Sequence, residues 1–407
     1  MRTRTWCVAA ALLSLSRPAV AQTVLSESDA LARLSADSPR VRSIRTGTEL
    51  VRADVLAAAR WPNPRATFNR EAVAGVTENM VMVTQALPIT GRRALEMDAA
   101  SALVQASTRR ADDEIRRART ELRVAYADLV SAQVREAELR LARDRLSELA
   151  DVLARRERAG EAAGYDRLRA EREVSDLESE SATARSDRVR AQAVLGAFFA
   201  DISDVTTIVA VVPGSVPRTP LPTIEQLLQR AETARGEFAA LEQEMASARF
   251  AERAAGRRLV PEPEVVVGTK SSNIGGGDVG SVISVHATIP LFDRGRPERA
   301  MAHARLAQAE ARAAAFRVTL VAQIAALRTL VVERRDAADR YRATSMTSTA
   351  QLERIAQVSY DAGERGILEL LDAYRSGAAA RARQAVLDVA VRQAEIELEF
   401  VSGWEMQ

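Results

Sequence analysis

Two long stretches of this chain contain no proline. All thirteen prolines lie outside the windows 89–212 and 298–407. A helix interior tolerates neither the missing N–H nor the clash of the ring with the preceding turn. Proline-free windows rich in Ala, Leu, Arg and Glu are therefore predicted to be helical. Within the first window, Arg92 to Ala159 also lacks glycine. Ala118, Ala125, Ala132, Leu139, Leu146 and Leu153 recur there every seventh residue, with Ile115, Leu122 and Leu129 as a companion series. That spacing marks a coiled-coil seam. At about 1.5 Å per residue the stretch reaches about 100 Å, a rod that a compact globular domain of this size does not contain.

The second window repeats the plan. Pro297 suits a first helical position, the rod runs to Ala362, and Leu306, Ala313, Leu320 and Leu327 mark a seam. Each rod ends in a glycine-bearing turn, Gly160 to Gly164 and Gly363 to Gly366, before a returning helix, Tyr165 to about Leu195 and Ile367 to about Val401. Trp61-Pro62-Asn63-Pro64 corresponds to Val260-Pro261-Glu262-Pro263, Leu87-Pro88-Ile89 to Ile289-Pro290-Leu291, and Ala159-Gly160-Glu161 to Ala362-Gly363-Glu364. These matches, about half the chain apart, indicate an internal duplication. The chain divides into a leader (1–21), N-terminal helices (22–60), a first β-hairpin (61–90) and a first helical hairpin (91–200). A linker (201–222), helices of the second repeat (223–259), a second β-hairpin (260–291), a second helical hairpin (292–402) and a short tail (403–407) follow. Polar side chains such as Arg116, Arg117, Arg135 and Glu136 read as solvated helix surface.

In each hairpin region apolar residues alternate with others, as Val81, Val83, Gln85, Leu87 do against Met80, Met82, Thr84 and Ala86. Val279, Ser281, Ile283, Val285 and Ala287 alternate likewise, and Arg65–Ala72 and Glu264–Ser271 supply partner strands across turns at Gly75 and Gly275-Gly276-Gly277. Ten or eleven residues is the length of a tilted membrane-spanning strand, although each segment alone is a weak signal and a soluble hairpin has the same pattern. Four strands cannot close a barrel, and an open edge in lipid leaves backbone groups unsatisfied at several kcal/mol each. Spanning strands therefore require oligomerisation: a dimer supplies eight strands, a trimer twelve.

The N-terminus reads as a secretory leader. Arg2 and Arg4 precede an apolar run from Trp6 to Leu15, and Ala19-Val20-Ala21 offers a cleavage site before Gln22. The whole chain has 57 basic and 55 acidic residues; without Arg2, Arg4 and Arg17 the balance becomes 54 to 55, so charge gives no argument for nucleic acid. Lys270 is the only lysine, a bias that fits a GC-rich coding sequence. Cys7, the only cysteine, falls inside the leader, which leaves no disulfide or thiol ligand and no lipidated first residue.

The segment Tyr360-Asp361-Ala362-Gly363-Glu364-Arg365-Gly366-Ile367-Leu368-Glu369-Leu370-Leu371-Asp372-Ala373 resembles the second helical-hairpin tip of the outer-membrane efflux (TolC-like) family. Gln85 to Arg93 and Ile289 to Gly295 are similar to strand-to-helix junctions of its heavy-metal (CzcC-type) branch. The resemblance runs through the chain after the leader, in order and in both halves. It implies a mainly α fold with a small β part: long helical hairpins forming a periplasmic α-barrel, and two β-hairpins giving four strands to a trimeric outer-membrane β-barrel. It further implies a homotrimer in outer-membrane lipid, a periplasmic adaptor (membrane fusion) protein, an inner-membrane pump of RND type, and heavy-metal cations as cargo. The same fold also serves drug efflux or protein secretion.

By position in the motif, Tyr360 and Arg365 resemble the gate-holding residues of the second hairpin, and Asp166 their acidic counterpart on the first. Glu369 and Asp372 match acidic rings inside the closing tube, and the tip turns Gly160, Gly164, Gly363 and Gly366 match the adaptor-docking surface. Gly164 and Gly366 depart from the bulkier and hydroxylated residues common there. An independent physical argument stands beside this: three copies of two carboxylates one helical turn apart would stack negative rings at a constriction and favour cations. Solvated hairpin charge is the plainer alternative. No catalytic constellation, cofactor motif or metal-ligand cluster is visible: His286 and His303 are isolated, and the glycines at 275–277 precede a strand rather than a helix. The rival class is a periplasmic coiled-coil adaptor or scaffold, which needs no duplicated strand pairs.

Overall fold

The computed structural model describes residues 22–160, 164–212, 214 and 219–405. The expected leader and tip residues 161–163 lie outside the described residues. The chain begins with strand β1 (Thr23–Leu25) and helices α1 (Glu27–Arg33) and α2 (Pro39–Ala59). A hairpin of β2 (Arg65–Val73) and β3 (Val76–Ala86) leads into the rod α3 (Arg92–Arg158) and its return α4 (Gly164–Gly196). After β4 (Ile208–Ala210) come α5 (Ile224–Ala234), α6 (Gly236–Gly256), β5 (Pro263–Ser272) and β6 (Val279–Ala287). The second rod is α7 (Arg296–Tyr341) continued by α8 (Thr347–Asp361), and α9 (Ile367–Ser402) returns from it. The fold is mainly α with a small β part, as the proline-free windows and alternating segments predict.

The duplication is visible in the backbone. Gly91 (φ 77°) and Gly295 (φ 69°) open the two rods, and Gly160 (φ 75°) and Gly363 (φ 73°) end them, all left-handed. That conformation is costly for a residue with a Cβ. Near the strands α2, α3, α6 and α7 pack side by side; towards the tips the row becomes α4, α3, α9 and the α7–α8 rod. The two rods thus run the full length, flanked by half-length partners stacked end to end.

The α3 seam falls where the seven-residue spacing puts it. Leu122, Leu129, Leu146 and Leu153 are buried, and Ala170, Leu177 and Ala184 of α4 pack in the lower cluster. Burying each leucine contributes about 1.5–3 kcal/mol, and the facing alanines let the helices approach. Ala132 is only half-buried. In the second rod the seam lies one row over from the expected one. Ala302, Ala309, Leu320, Ile324, Val331 and Ala338 are buried, while Leu306, Ala313 and Leu327 are half-buried.

Two helical regions are interrupted. The N-terminal helical region (22–60) divides before Ser38, whose hydroxyl accepts from Val41 N at 3.4 Å, with Pro39 restarting the helix. The second rod is interrupted by a π-helical turn, Arg342–Met346. At mid-height β1 and β4 pair in parallel. Tyr126 there donates towards Leu25 O at 3.0 Å and Val211 O at 2.8 Å, and Gln133 exchanges two 2.8 Å bonds with Ala210. In the second half Arg328 and Arg335 donate to Pro222 O (2.8 Å) and Thr219 O (2.9 Å). The linker is thereby tied to both rods.

Candidate functional site

The sheet order is β2-β3-β5-β6, antiparallel throughout, so each repeat supplies one hairpin. Side chains directly opposite one another share a face. The rows Ala66–Val83–Val267–Ile283 and Phe68–Val81–Thr269–Ser281 fall on one face. This face is largely apolar, with Arg70, Asn79, Gln85 and Ser271 among its polar members, yet solvent-exposed in the single chain: Phe68 is 64 % exposed, Ile283 77 % and Val285 67 %. The rows Asn69–Met80–Lys270–Gly280 and Arg65–Thr84–Val266–Ser284 fall on the other, with Glu71, Glu78 and His286. Lys270 pairs there with Glu78 at 2.6 Å, and His286 lies 3.4 Å from the Ser284 hydroxyl. Alternation in β3 and β6 thus places both apolar sets on one surface. Among the described residues β2 and β6 each pair on one side only, so the sheet is open at both edges.

The opposite end of the rods carries the tip residues. Tyr360 is half-buried against the lower core cluster, and the Arg156 guanidinium lies 5.9 Å from its ring centroid. The turn after α8 closes through Gly363 N to Tyr360 O (3.0 Å) and Glu364 N to Ser359 O (2.9 Å), leaving Arg365 exposed. Asp166 sits half-buried in the first turn of α4. Within one chain no hydrogen bond or ion pair joins Asp166, Tyr360 and Arg365 among the described residues. Glu369 and Asp372 are exposed on α9, one turn apart. Of the tip glycines, Gly160 and Gly363 are left-handed, whereas Gly164 has a different reason. A Cβ on Gly164 would come within 2.5 Å of the Glu157 carboxylate, which pairs with Arg167. Gly366 is in extended backbone, and its φ of −77° makes no demand for glycine.

Between sheet and tip lies a network that sequence reading missed. Arg123 of α3 donates to Glu27 at 2.6 Å and pairs with Glu399 of α9; Arg392 donates to Glu27 at 3.0 Å, and Arg335 pairs with Glu395 at 2.6 Å. Burial alone would push the Glu27 carboxyl up, but Arg392 and Arg123 outweigh it and hold the group below the usual carboxylate range. Burial pushes Asp128 the other way, upward, against a hydrogen bond from Gln393. These partners are 60 to 365 positions apart, so no local pattern announces them. Among the described residues no group of three or more His, Cys, Asp or Glu is arranged to hold a metal.

Residues 227–403 match the model of the outer membrane efflux protein family. Among solved structures, a membrane protein from Pseudomonas aeruginosa superposes with a TM-score of 0.75 at 20% identity, covering 93% of each chain. The Campylobacter jejuni CmeC outer membrane channel gives a TM-score of 0.76 at 14% identity, over 93% of this chain and 85% of that one. The fold is that of outer-membrane channel protomers. The open state of the Neisseria gonorrhoeae MtrE outer membrane channel agrees, with a TM-score of 0.71 at 16% identity over 93% of this chain and 88% of that one. No curated protein sequence matches the chain.

Proposed function

We propose that this chain belongs to the outer membrane efflux family and is one protomer of a trimeric exit duct in a tripartite efflux system. The observation that carries the reading is the open four-stranded sheet with one exposed apolar face, mounted on rods about 100 Å long. Lipid is the solvent that suits that face, and unpaired edges in lipid must be closed by further strands. The open edges are aligned along the protomer. Strand β2 with α2 and α4 forms one flank, and β6 with the α7–α8 rod forms the other. A head-to-tail ring joins these flanks and closes both the sheet and the helical wall, three copies giving twelve strands. The second rod supports this: it contains an 18-residue stretch apolar enough to cross a membrane, of which only 17% is buried within the chain. Packing against the next protomer's α2 flank, where Leu50 and Leu56 are 74% and 73% exposed, would cover it.

In this reading the wall is passive, the periplasmic tips form a gate, and an inner-membrane pump with its adaptor supplies energy and selects cargo. Heavy-metal cations are the proposed cargo, on the junction motifs Gln85–Arg93 and Ile289–Gly295. Unchanged zinc, cobalt, cadmium and copper tolerance in a deletion strain that has become sensitive to dyes would replace metal by drug efflux. The primary test is fractionation followed by mass determination of the detergent-extracted protein. Outer-membrane trimers are expected. A soluble periplasmic monomer would overturn the duct and favour the coiled-coil adaptor.

A further inference from the structure

The turns that join the sheet to the helices combine exposed apolar side chains with an excess of arginine. Phe292 is 98% exposed, Ile289 and Ile89 are each 69%, Leu291 is 62% and Trp61 is 52%. Segments 59–64, 87–93, 257–262 and 288–299 hold eight arginines and three carboxylates, Glu262, Asp293 and Glu298. Two arginines occupy all three acids: Arg92 pairs with Glu262 at 2.9 Å, and Arg258 with Asp293 and Glu298 at 3.2 and 3.1 Å. The other six, Arg60, Arg93, Arg257, Arg294, Arg296 and Arg299, have no carboxylate partner among the described residues.

Where these six bond at all, they bond to main chain. Arg93 donates to Ala59 O at 2.6 Å and lies 5.1 Å from the Trp61 ring centroid. Arg294 donates to Leu291 O at 3.2 Å, and Arg299 to Arg294 O at 3.3 Å. A guanidinium has five N–H donors, so one main-chain bond leaves most of its capacity unused. The opposite end of the sheet lacks this excess. Segments 70–79 and 270–279 carry Arg70 and Lys270 against Glu71, Glu78 and Asp278. The cationic surplus therefore belongs to one rim of the sheet and is not a by-product of high arginine usage.

We propose that this rim is a collar that binds the phosphate headgroups of anionic phospholipids at the periplasm-facing surface of the membrane. The proposal rests on the membrane reading of the sheet and adds to it a preferred lipid and the residues that hold it. A phospholipid matches both halves of the surface: acyl chain against Phe292, Ile289 and Trp61, and phosphate oxygens for the guanidinium forks. A soluble anion would satisfy only the arginines, and an apolar protein surface only the aromatics. Arginines spread over four turns from both repeats also hold the collar around the whole rim, where a single lipid site would need only one.

The test uses the detergent-purified protein lacking the expected leader (1–21), which holds Trp6, and carrying Trp404→Phe, so that Trp61 reports from the rim. The protein is reconstituted into vesicles of phosphatidylcholine containing an equal fraction of either brominated phosphatidylcholine or brominated phosphatidylglycerol. Stronger quenching of Trp61 by brominated phosphatidylglycerol is expected. The preference should fall by roughly fivefold per arginine removed in Arg294→Gln and Arg294→Gln/Arg296→Gln, and should weaken in high salt. Equal quenching by both lipids would overturn the collar while leaving the membrane reading intact. Absence of quenching by either lipid, with no flotation on vesicles, would overturn the membrane reading itself. Arg70→Gln at the other rim is the matched control and should leave the preference unchanged.

Discussion

Asp166 and Arg365 belong to opposite flanks of the protomer. Asp166 starts α4, which packs on α3 and touches α9, whereas Arg365 follows α8, which packs on the other side of the row against α9, so α9 stands between the two carriers. No hydrogen bond or ion pair links α4 to α8 among the described residues. In the proposed ring, a latch between these residues would form across the seam of neighbouring chains. Oxidised Asp166→Cys/Arg365→Cys protein is expected to run as dimer and trimer on non-reducing gels and to collapse to monomer on reduction. An internal crosslink with no higher bands would place the pair within one chain. An exposed pair of this kind contributes about 0–1 kcal/mol, which a docking adaptor can overcome. Arg365→Ser should therefore raise single-channel conductance in planar bilayers, and unchanged conductance would remove Arg365 from the gate.

Glu369 and Asp372 meet the geometric condition for stacked rings: exposed, on one helix, one turn apart. They have no ion-pair partner among the described residues, so their charge is not neutralised inside the chain. Glu369→Gln/Asp372→Asn should lower the cation-to-anion permeability ratio, read as a shift of reversal potential in a salt gradient, and weaken block by divalent cations. Persistence of both properties would leave these residues as ordinary solvated charge.

Much of this architecture is legible because it is written locally. The rods follow from proline placement and the α3 seam from seven-residue spacing, since helix period and side-chain burial are coupled within a few turns. The glycine turns at 160 and 363 follow from backbone sterics. What stays hidden is carried by long-range pairs. Tyr126 reaches Leu25 and Val211, and Arg123 bridges Glu27 and Glu399. An arginine in such a pair looks the same in sequence as one on a solvated face. The latch proposed for Asp166 is hidden for another reason: in the proposed ring its partner would come from a neighbouring chain.

Two of the shifted carboxyls, Asp128 and Glu27, give opposite pH signatures. Asp128 is raised above its ordinary value of 3.8, chiefly by burial. A raised carboxyl stabilises the fold while protonated, below its unfolded pKa, and this contribution is lost as pH rises through the folded pKa. Asp128→Asn can keep the 2.7 Å bond from Gln393 and should stabilise the fold at pH 7 by less than about 1 kcal/mol after solvent screening, read as a raised thermal midpoint. Glu27 is lowered below 4.5. Its contribution is present above the unfolded pKa and lost as pH falls through the lower folded one. Glu27→Gln should lower the midpoint at pH 7 by about 1 kcal/mol or less and flatten the fall in stability below about pH 4.5. A midpoint lowered by Asp128→Asn, or unmoved by Glu27→Gln, would contradict these assignments.

The π-helical turn at Arg342–Met346 makes a prediction that separates a built-in insertion from ordinary helix. Above it, Ile324, Val331 and Ala338 are buried every seventh residue; from its last residue onward Met346, Glu353 and Tyr360 are half-buried at the same spacing. The step from Ala338 to Met346 is eight, so the turn takes up one extra residue and keeps both seams on the same side. Hydroxyls crowd the break: Thr344 donates to Arg340 O at 2.7 Å and Thr349 to Ser345 O at 2.6 Å, bonds that compete with the helical ladder. A π turn of this kind is an α-helix with one residue inserted. Deleting Thr344 should restore a regular helix with both seams in register, giving a protein that assembles with an unchanged or raised thermal midpoint. Deleting Ala326, where no π turn absorbs the change, should rotate every residue below it by about 100° and expose Val331 and Ala338. That variant is expected to lose assembly. If both deletions were equally damaging, the turn would not be an accommodated insertion; if both were tolerated, the seam would not hold the rod.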